Sequence, residues 1–194
     1  MPVSLADVVT DFSLSLAQVD SSKPVWAPYQ PGIGPHPESE AVKLITAEMS
    51  ASKPGRYSVI RLNVPYPGGG RQRCDVVIGN PPEWALEIKL LRLLGDNGKP
   101  NDNMLMHLLS PYPAHRSALT DAAKLRASSF TCDLGILVYG FEYEDWPMAP
   151  ALDALDVLIR QRTQALGRAV ARFEGLVHPV HKSGRVYAWE INRE

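Results

Sequence analysis

Segments of helical spacing alternate with segments of period two along these 194 residues, and that alternation predicts an α/β fold: a mixed central β-sheet flanked by helices. Two observations carry the prediction. Three runs that alternate or are rich in β-branched residues follow one another between Tyr57 and Leu90. Amphipathic segments stand before and after them, and a short apolar run, Leu134 to Tyr139, has the length of a buried strand.

In chain order, Leu5 to Val19 puts Leu5, Val8, Val9, Phe12 and Leu16 on one helical face. Ser21 to Pro37 holds prolines at 24, 28, 31, 35 and 37. Proline removes backbone donors, so this is an irregular arm that wraps the domain or meets a partner. Glu38 to Ser50 reads as a second helix, capped by Ser39, with Ala41, Val42, Leu44, Ile45 and Met49 as its apolar face. Strands are expected over Tyr57 to Val64, Arg71 to Ile78 and Trp84 to Leu90. The glycine-rich turn Pro65 to Gly70 and the turn Asn80-Pro81-Pro82 separate them. A loop rich in Gly, Asn and Asp runs from Gly95 to Asn103. Ser117 to Ser128 has helical spacing, and Pro150 opens a long helix to about Phe173. Two short strands, Leu176 to Val180 and Arg185 to Ile191, flank a turn at 181–184. One domain of 1–194 is expected: helix and arm over 1–37, core over 38–140, closing helix and two strands over 141–194.

Composition narrows the function classes. Hydrophobic residues make up 45% and charged residues 21%, as in globular proteins. The formal net charge is −1, so a nucleic-acid site has to be a local basic groove and not an overall field. Cys74 and Cys132 share no metal-ligand spacing and make no disulfide framework; both read as core thiols. No secretory signal and no membrane-spanning run is visible, so a cytoplasmic protein without a membrane partner is expected.

The residues that carry chemistry lie on the second and third strands. Period two puts Glu87 and Lys89 on one face of their strand and Leu86, Ile88 and Leu90 on the other. Asp75 stands on the neighbouring strand. If the two strands pair, the Asp75 and Glu87 carboxylates converge on one divalent cation. Carboxylate oxygens suit Mg²⁺, which polarises phosphoryl oxygens and acidifies bound water. Among carboxylates Lys89 keeps its charge, which favours an electrostatic role over that of a base.

Asp75 followed by Glu87-Ile88-Lys89 resembles the PD-(D/E)XK signature of restriction-endonuclease-like nucleases, with Cys74 where the motif has proline. The likeness covers about Glu38 to Tyr139, where helix, three strands, helix and strand follow in the order of that family's core. It implies a restriction-endonuclease-like fold and a Mg²⁺-dependent nuclease, with Mn²⁺ as a substitute and DNA as the expected substrate. By the same resemblance Asp75, Glu87 and the Ile88 carbonyl bind metal and Lys89 assists the attacking water. A glutamate on the preceding helix completes the acidic shell, Glu40 first and Glu38 behind it. The helix after the third strand contributes a basic residue, with Lys124 the match by position. Such enzymes often work as dimers, and the apolar face of the first helix offers either a dimer surface or a core face.

Other polar residues are weighed beside the motif. Arg71 and Arg73 share the face of Asp75 by parity and suit a substrate phosphate, or are ordinary strand-edge charge. Lys99 in the glycine-rich loop suits a phosphate contact or a plain surface turn. His107, His115, Arg116 and Asp121 offer groups beside the centre; His178 and His181 read as a surface turn. Two rivals stand beside the nuclease reading: an inactive nucleic-acid- or protein-binding module on the same fold, and a different hydrolase built on His107 or His115.

Overall fold

The computed structural model describes residues 2–68 and 70–193. Gly69, within the expected glycine turn, lies outside them. Helix α1 spans Leu5–Ser21 and opens on a capping box, in which Ser4 Oγ accepts from the Asp7 N–H and the Asp7 carboxylate accepts from the Ser4 N–H. Helix α2 spans Glu38–Ser52. Its N-cap is Pro37, with no side-chain cap; Ser39 sits inside the first turn and caps nothing. Strands β1 (Ile60–Pro65), β2 (Arg73–Ile78) and β3 (Trp84–Leu91) follow. Then come α3 (Met104–Leu109), α4 (Ala118–Arg126, capped by Ser117) and β4 (Asp133–Phe141). Helix α5 (Ala149–Thr163), β5 (Gly167–Phe173) and β6 (Gly184–Ile191) close the chain.

The six strands form one sheet in the order β1-β2-β3-β4-β6-β5. The β3–β4 pair is parallel and every other pair antiparallel, so the sheet is mixed as expected. The parallel pair forces a crossover, and the chain between β3 and β4 supplies it with α3 and α4 on one face. Helix α5 covers the same face, where Leu119, Leu125, Leu152, Leu155 and Ile159 pack on Val77, Ala85, Ile136 and Val138. Helices α1 and α2 cover the other face through Phe12, Leu16, Ile45 and Met49, against Leu86, Ile88, Leu137 and Tyr139. That packing buries Leu5, Val8, Val9, Phe12 and Leu16, so the apolar face of α1 belongs to the core and is not a dimer surface. Cys74 and Cys132 are buried free thiols.

Three elements depart from the sequence reading. The long helix to Phe173 stops at Thr163: Gln164 turns left-handed at φ 51° and the chain re-enters the sheet as β5. Leu166, just before this edge strand, and Val170 on it, which both continue the helical spacing, are 61% and 46% exposed. Leu176 to Val180 is not a strand, and α3 forms just after the expected loop, over residues to which the sequence assigns no element. The proline-rich arm wraps the domain. Asp20 Oδ1 accepts the Ile33 N–H at 2.8 Å, and Arg92 donates to the Gly34 carbonyl at 2.6 Å. Among the described residues, no helix is long and apolar enough to cross a membrane.

Candidate metal centre

The centre exists because β2 and β3 pair and then part. Their ladder runs Ile78↔Trp84, Val77↔Ala85, Val76↔Leu86 and ends there, while β3 continues along β4 to Leu91. A strand residue sends its N–H and C=O to the same edge. Ile88 and Leu90 therefore face an edge that β2 has left, and carboxylates take its place. Asp75 Oδ2 accepts the Ile88 N–H at 2.8 Å, and Glu38 Oε2 accepts the Leu90 N–H at 2.5 Å. The Ile88 carbonyl opens on the same gap, between Asp75 and Glu38, and a small cavity there is lined by Glu38, Asn63, Asp75 and Ile88.

Asp75 sits at a distortion that parity could not foresee. The β1–β2 register skips Asn63 and Asp75, and Asn63 is left-handed at φ 52°. Cys74 packs with the α4 side while Val76 packs with the α1 side, so alternation breaks at Asp75. Its carboxylate lies at the parted edge and reaches both the small cavity and a larger one of about 610 Å³ on the α4 side.

The larger cavity brings Asp75, Glu87 and Lys89 together with Asp121 and Lys124 of α4, beneath Arg71, Arg73 and Arg116. Glu87 is 2% exposed. Its Oε1 accepts from Lys124 Nζ at 2.7 Å and from the Tyr66 hydroxyl at 2.5 Å. Asp121 takes one lysine on each oxygen: Oδ2 meets Lys89 at 2.8 Å and Oδ1 meets Lys124 at 2.8 Å. Lys124 also lies 5.0 Å from the centroid of the Tyr66 ring.

Charge in this region is unbalanced. Burial, then Asp75 and Asp121, push the Glu87 carboxyl up to about 8, and Lys124 only partly offsets them. Burial raises Glu38 as well, with Asp75 and Asp121 adding to it against Lys89 and the Leu90 N–H. Burial works against both ammonium groups, but Asp121 and Glu38 at Lys89, and Glu87 and Asp121 at Lys124, outweigh it and raise their pKa. Glu38, Asp75, Glu87 and Asp121 face only Lys89 and Lys124 within the cluster. Ionised together, the four carboxylates exceed the two ammonium groups by two, the charge of one divalent cation, and the raised Glu38 and Glu87 carboxyls reflect that excess in the metal-free centre. The donors are all oxygen, the set that Mg²⁺ and Mn²⁺ prefer. Among the described residues, no donor bonds Asp75 Oδ1 or Glu87 Oε2.

Several candidates fall elsewhere. Glu40 is not in the cluster: its carboxylate is 42% exposed, 3.9 Å from Lys43, while Glu38 of the same first turn reaches β3. Lys99 lines a separate cavity with Tyr29 and Asn97. Neither His107 nor His115 lines the large cavity; His115 Nδ1 pairs with Ser110 Oγ at 2.6 Å. Tyr66 escaped the sequence reading because it follows β1 in an irregular turn, and Asp121 was read only as a flanking group.

His178 and His181 are not on the surface. Both are fully buried and stack at 4.6 Å with Asp96 beside them. Asp96, His178 and His181 bring one ligand atom each within 4.8 Å of one another. The protons argue against a cation there. His178 Nδ1 accepts from the Val180 and His181 N–H groups, so in the neutral ring Nε2 carries the hydrogen and offers no lone pair. The trio instead ties three segments: His181 meets Asp96 at 2.9 Å and Tyr143 at 2.8 Å, and its ring fills the space above Gly34 of the arm.

Comparisons with protein-family models, with curated proteins and with solved structures return no match.

Proposed function

We propose that this chain is a divalent-metal-dependent phosphodiesterase acting on nucleic acid, with DNA the expected substrate. The observation that carries the reading is the excess of carboxylates over ammonium groups at an all-oxygen donor set, under a rim of arginines. Asp75, Glu87 and the Ile88 carbonyl hold Mg²⁺, and Glu38 replaces Glu40 as the helix carboxylate. The metal supplies Lewis acidity and a more acidic bound water. Lys89, held charged by Asp121, neutralises charge that develops on the phosphoryl oxygens and does not act as a base. Arg71, Arg73 and Arg116 suit phosphates entering the cavity, bidentate where the guanidinium plane allows.

One observation favours a non-catalytic module on this fold: Lys124 already sits on Glu87, where an ammonium group can neutralise a carboxylate permanently. Cleavage decides between them. With Mg²⁺ present, the wild type is expected to cut single- or double-stranded DNA, and Asp75→Ala to lose at least about a hundredfold, the several kcal/mol that a Lewis-acid metal supplies. Nucleic-acid binding without cleavage in wild type, unchanged by Asp75→Ala, selects the module.

A further inference from the structure

Lys124 occupies a position with two partners, and the pair of contacts suggests how the centre is loaded. Its ammonium group bridges Glu87 Oε1 at 2.7 Å and Asp121 Oδ1 at 2.8 Å. Asp121 lies one turn before Lys124 on α4, so that contact survives if Glu87 lets go. The Lys124 side chain is 24% exposed, and it lines the cavity that Arg71, Arg73 and Arg116 border. A phosphate entering there meets Lys124 next to Glu87.

Resting on the metal reading above, we propose that Lys124 is a resident counter-ion of Glu87 that yields the carboxylate to the metal when a substrate phosphate draws it away, so that metal and phosphodiester bind cooperatively. An ammonium group and a divalent cation on the same buried carboxylate repel each other. The metal therefore has to displace Lys124 from Glu87, which weakens metal binding in the absence of an anion. A phosphate gives the displaced ammonium a second anion beside Asp121, and the penalty falls. Linkage makes the effect mutual: by whatever factor the phosphodiester tightens the metal, the metal tightens the phosphodiester. Tyr66 keeps its hydrogen bond to Glu87 throughout, so the carboxylate is held in place as its cationic partner changes.

The experiment is calorimetric titration of Mn²⁺ into wild type, Lys124→Met and Lys124→Arg, each with and without a short phosphorothioate DNA strand. Circular dichroism checks that the variants fold. Without DNA, Lys124→Met is expected to bind Mn²⁺ about tenfold tighter than wild type, within the usual range of coupling between sites. The strand is expected to tighten Mn²⁺ binding in wild type and to do so no longer in Lys124→Met. Lys124→Arg, which keeps the charge, retains the weak DNA-free affinity. Equal or weaker Mn²⁺ binding by Lys124→Met overturns the counter-ion role and leaves the metal centre standing. Failure of all three proteins to bind Mn²⁺ overturns both.

Discussion

Two carboxylates in this molecule are equally shielded from solvent and oppositely poised. Asp11 of α1 and Glu87 of β3 are each 2% exposed, and each accepts from a tyrosine hydroxyl and a lysine ammonium. Burial alone would raise both. At Asp11 the donors Lys53, Arg56 and Tyr57 outweigh it and the carboxyl is lowered. At Glu87 burial, Asp75 and Asp121 win, and the carboxyl rises to about 8. The difference lies in depth, since Asp11 sits beside half-exposed partners and Glu87 well inside, and in how many cations each acid has to itself. Asp11 has Lys53 and the Arg56 guanidinium, the latter also 3.1 Å from Asp7. Glu87 has one ammonium group, shared with Asp121. A satisfied buried carboxylate joins α1 to the end of α2; an unsatisfied one has room for a ligand.

The largest effect expected of any single change in this comparison is the loss of at least about a hundredfold in cleavage for Asp75→Ala given above. Next comes Asp11→Asn, which strips two cations of their shared anion. It is expected to cost about 2–3 kcal/mol, less than a fully buried pair because Lys53 and Arg56 reach solvent, and to leave Mn²⁺ affinity unchanged. Urea unfolding and metal titration on one sample read both. A fall in Mn²⁺ affinity would erase the contrast between the two sites.

A smaller effect is expected of Glu87→Gln without metal. Near pH 4.5, where the folded carboxyl still holds its proton, replacing it by an amide should change stability by less than about 1 kcal/mol. A loss as large as that of Asp11→Asn would show that Lys124 alone satisfies Glu87.

The sign of the pH dependence follows from the shifts. Glu87 titrates at about 8 when folded against an ordinary 4.5, so between those values the folded protein keeps a proton that the unfolded chain has lost. Stability falls as pH rises through that window. His181, lowered to about 4 from 6.5 by burial, acts oppositely: stability is lost as pH falls from 6.5 towards 4. In metal-free protein, the stability of Glu87→Gln relative to wild type should therefore grow from pH 4.5 to 8, and Mn²⁺ should abolish that growth. A flat difference would show that the carboxyl is ionised throughout.

Much of this arrangement was legible in the sequence, and what was not has physical reasons. Period two in Trp84 to Leu90 put Glu87 and Lys89 on one face, and the structure has them there, lining one cavity. The same rule brings Asp75 to the cavity that Glu87 and Lys89 line, but not to the strand edge, where the left-handed Asn63 opposite it interrupts the register and Cys74 joins the α4 side. The sequence ranks Glu40 before Glu38, and the order reverses because the contact of α2 with β3 brings Glu38 to the Leu90 N–H. Leu166, Val170 and Phe173 keep helical spacing, but beyond the break at Gln164 the strand turns Ala169, Ala171 and Phe173 inward at period two and leaves Val170 outside. His178 and His181 carried no local sign of burial; the arm folding over them at Gly34 provides it.

The central claim is that the parted edge of β2 and β3 binds one divalent cation. Calorimetric titration of Mg²⁺ and Mn²⁺ into wild type and the Asp75→Ala/Glu87→Ala double variant tests it most directly. Wild type should bind one cation per chain and the variant none. Binding that persists in the variant, or no binding by wild type with the DNA strand present, would contradict it.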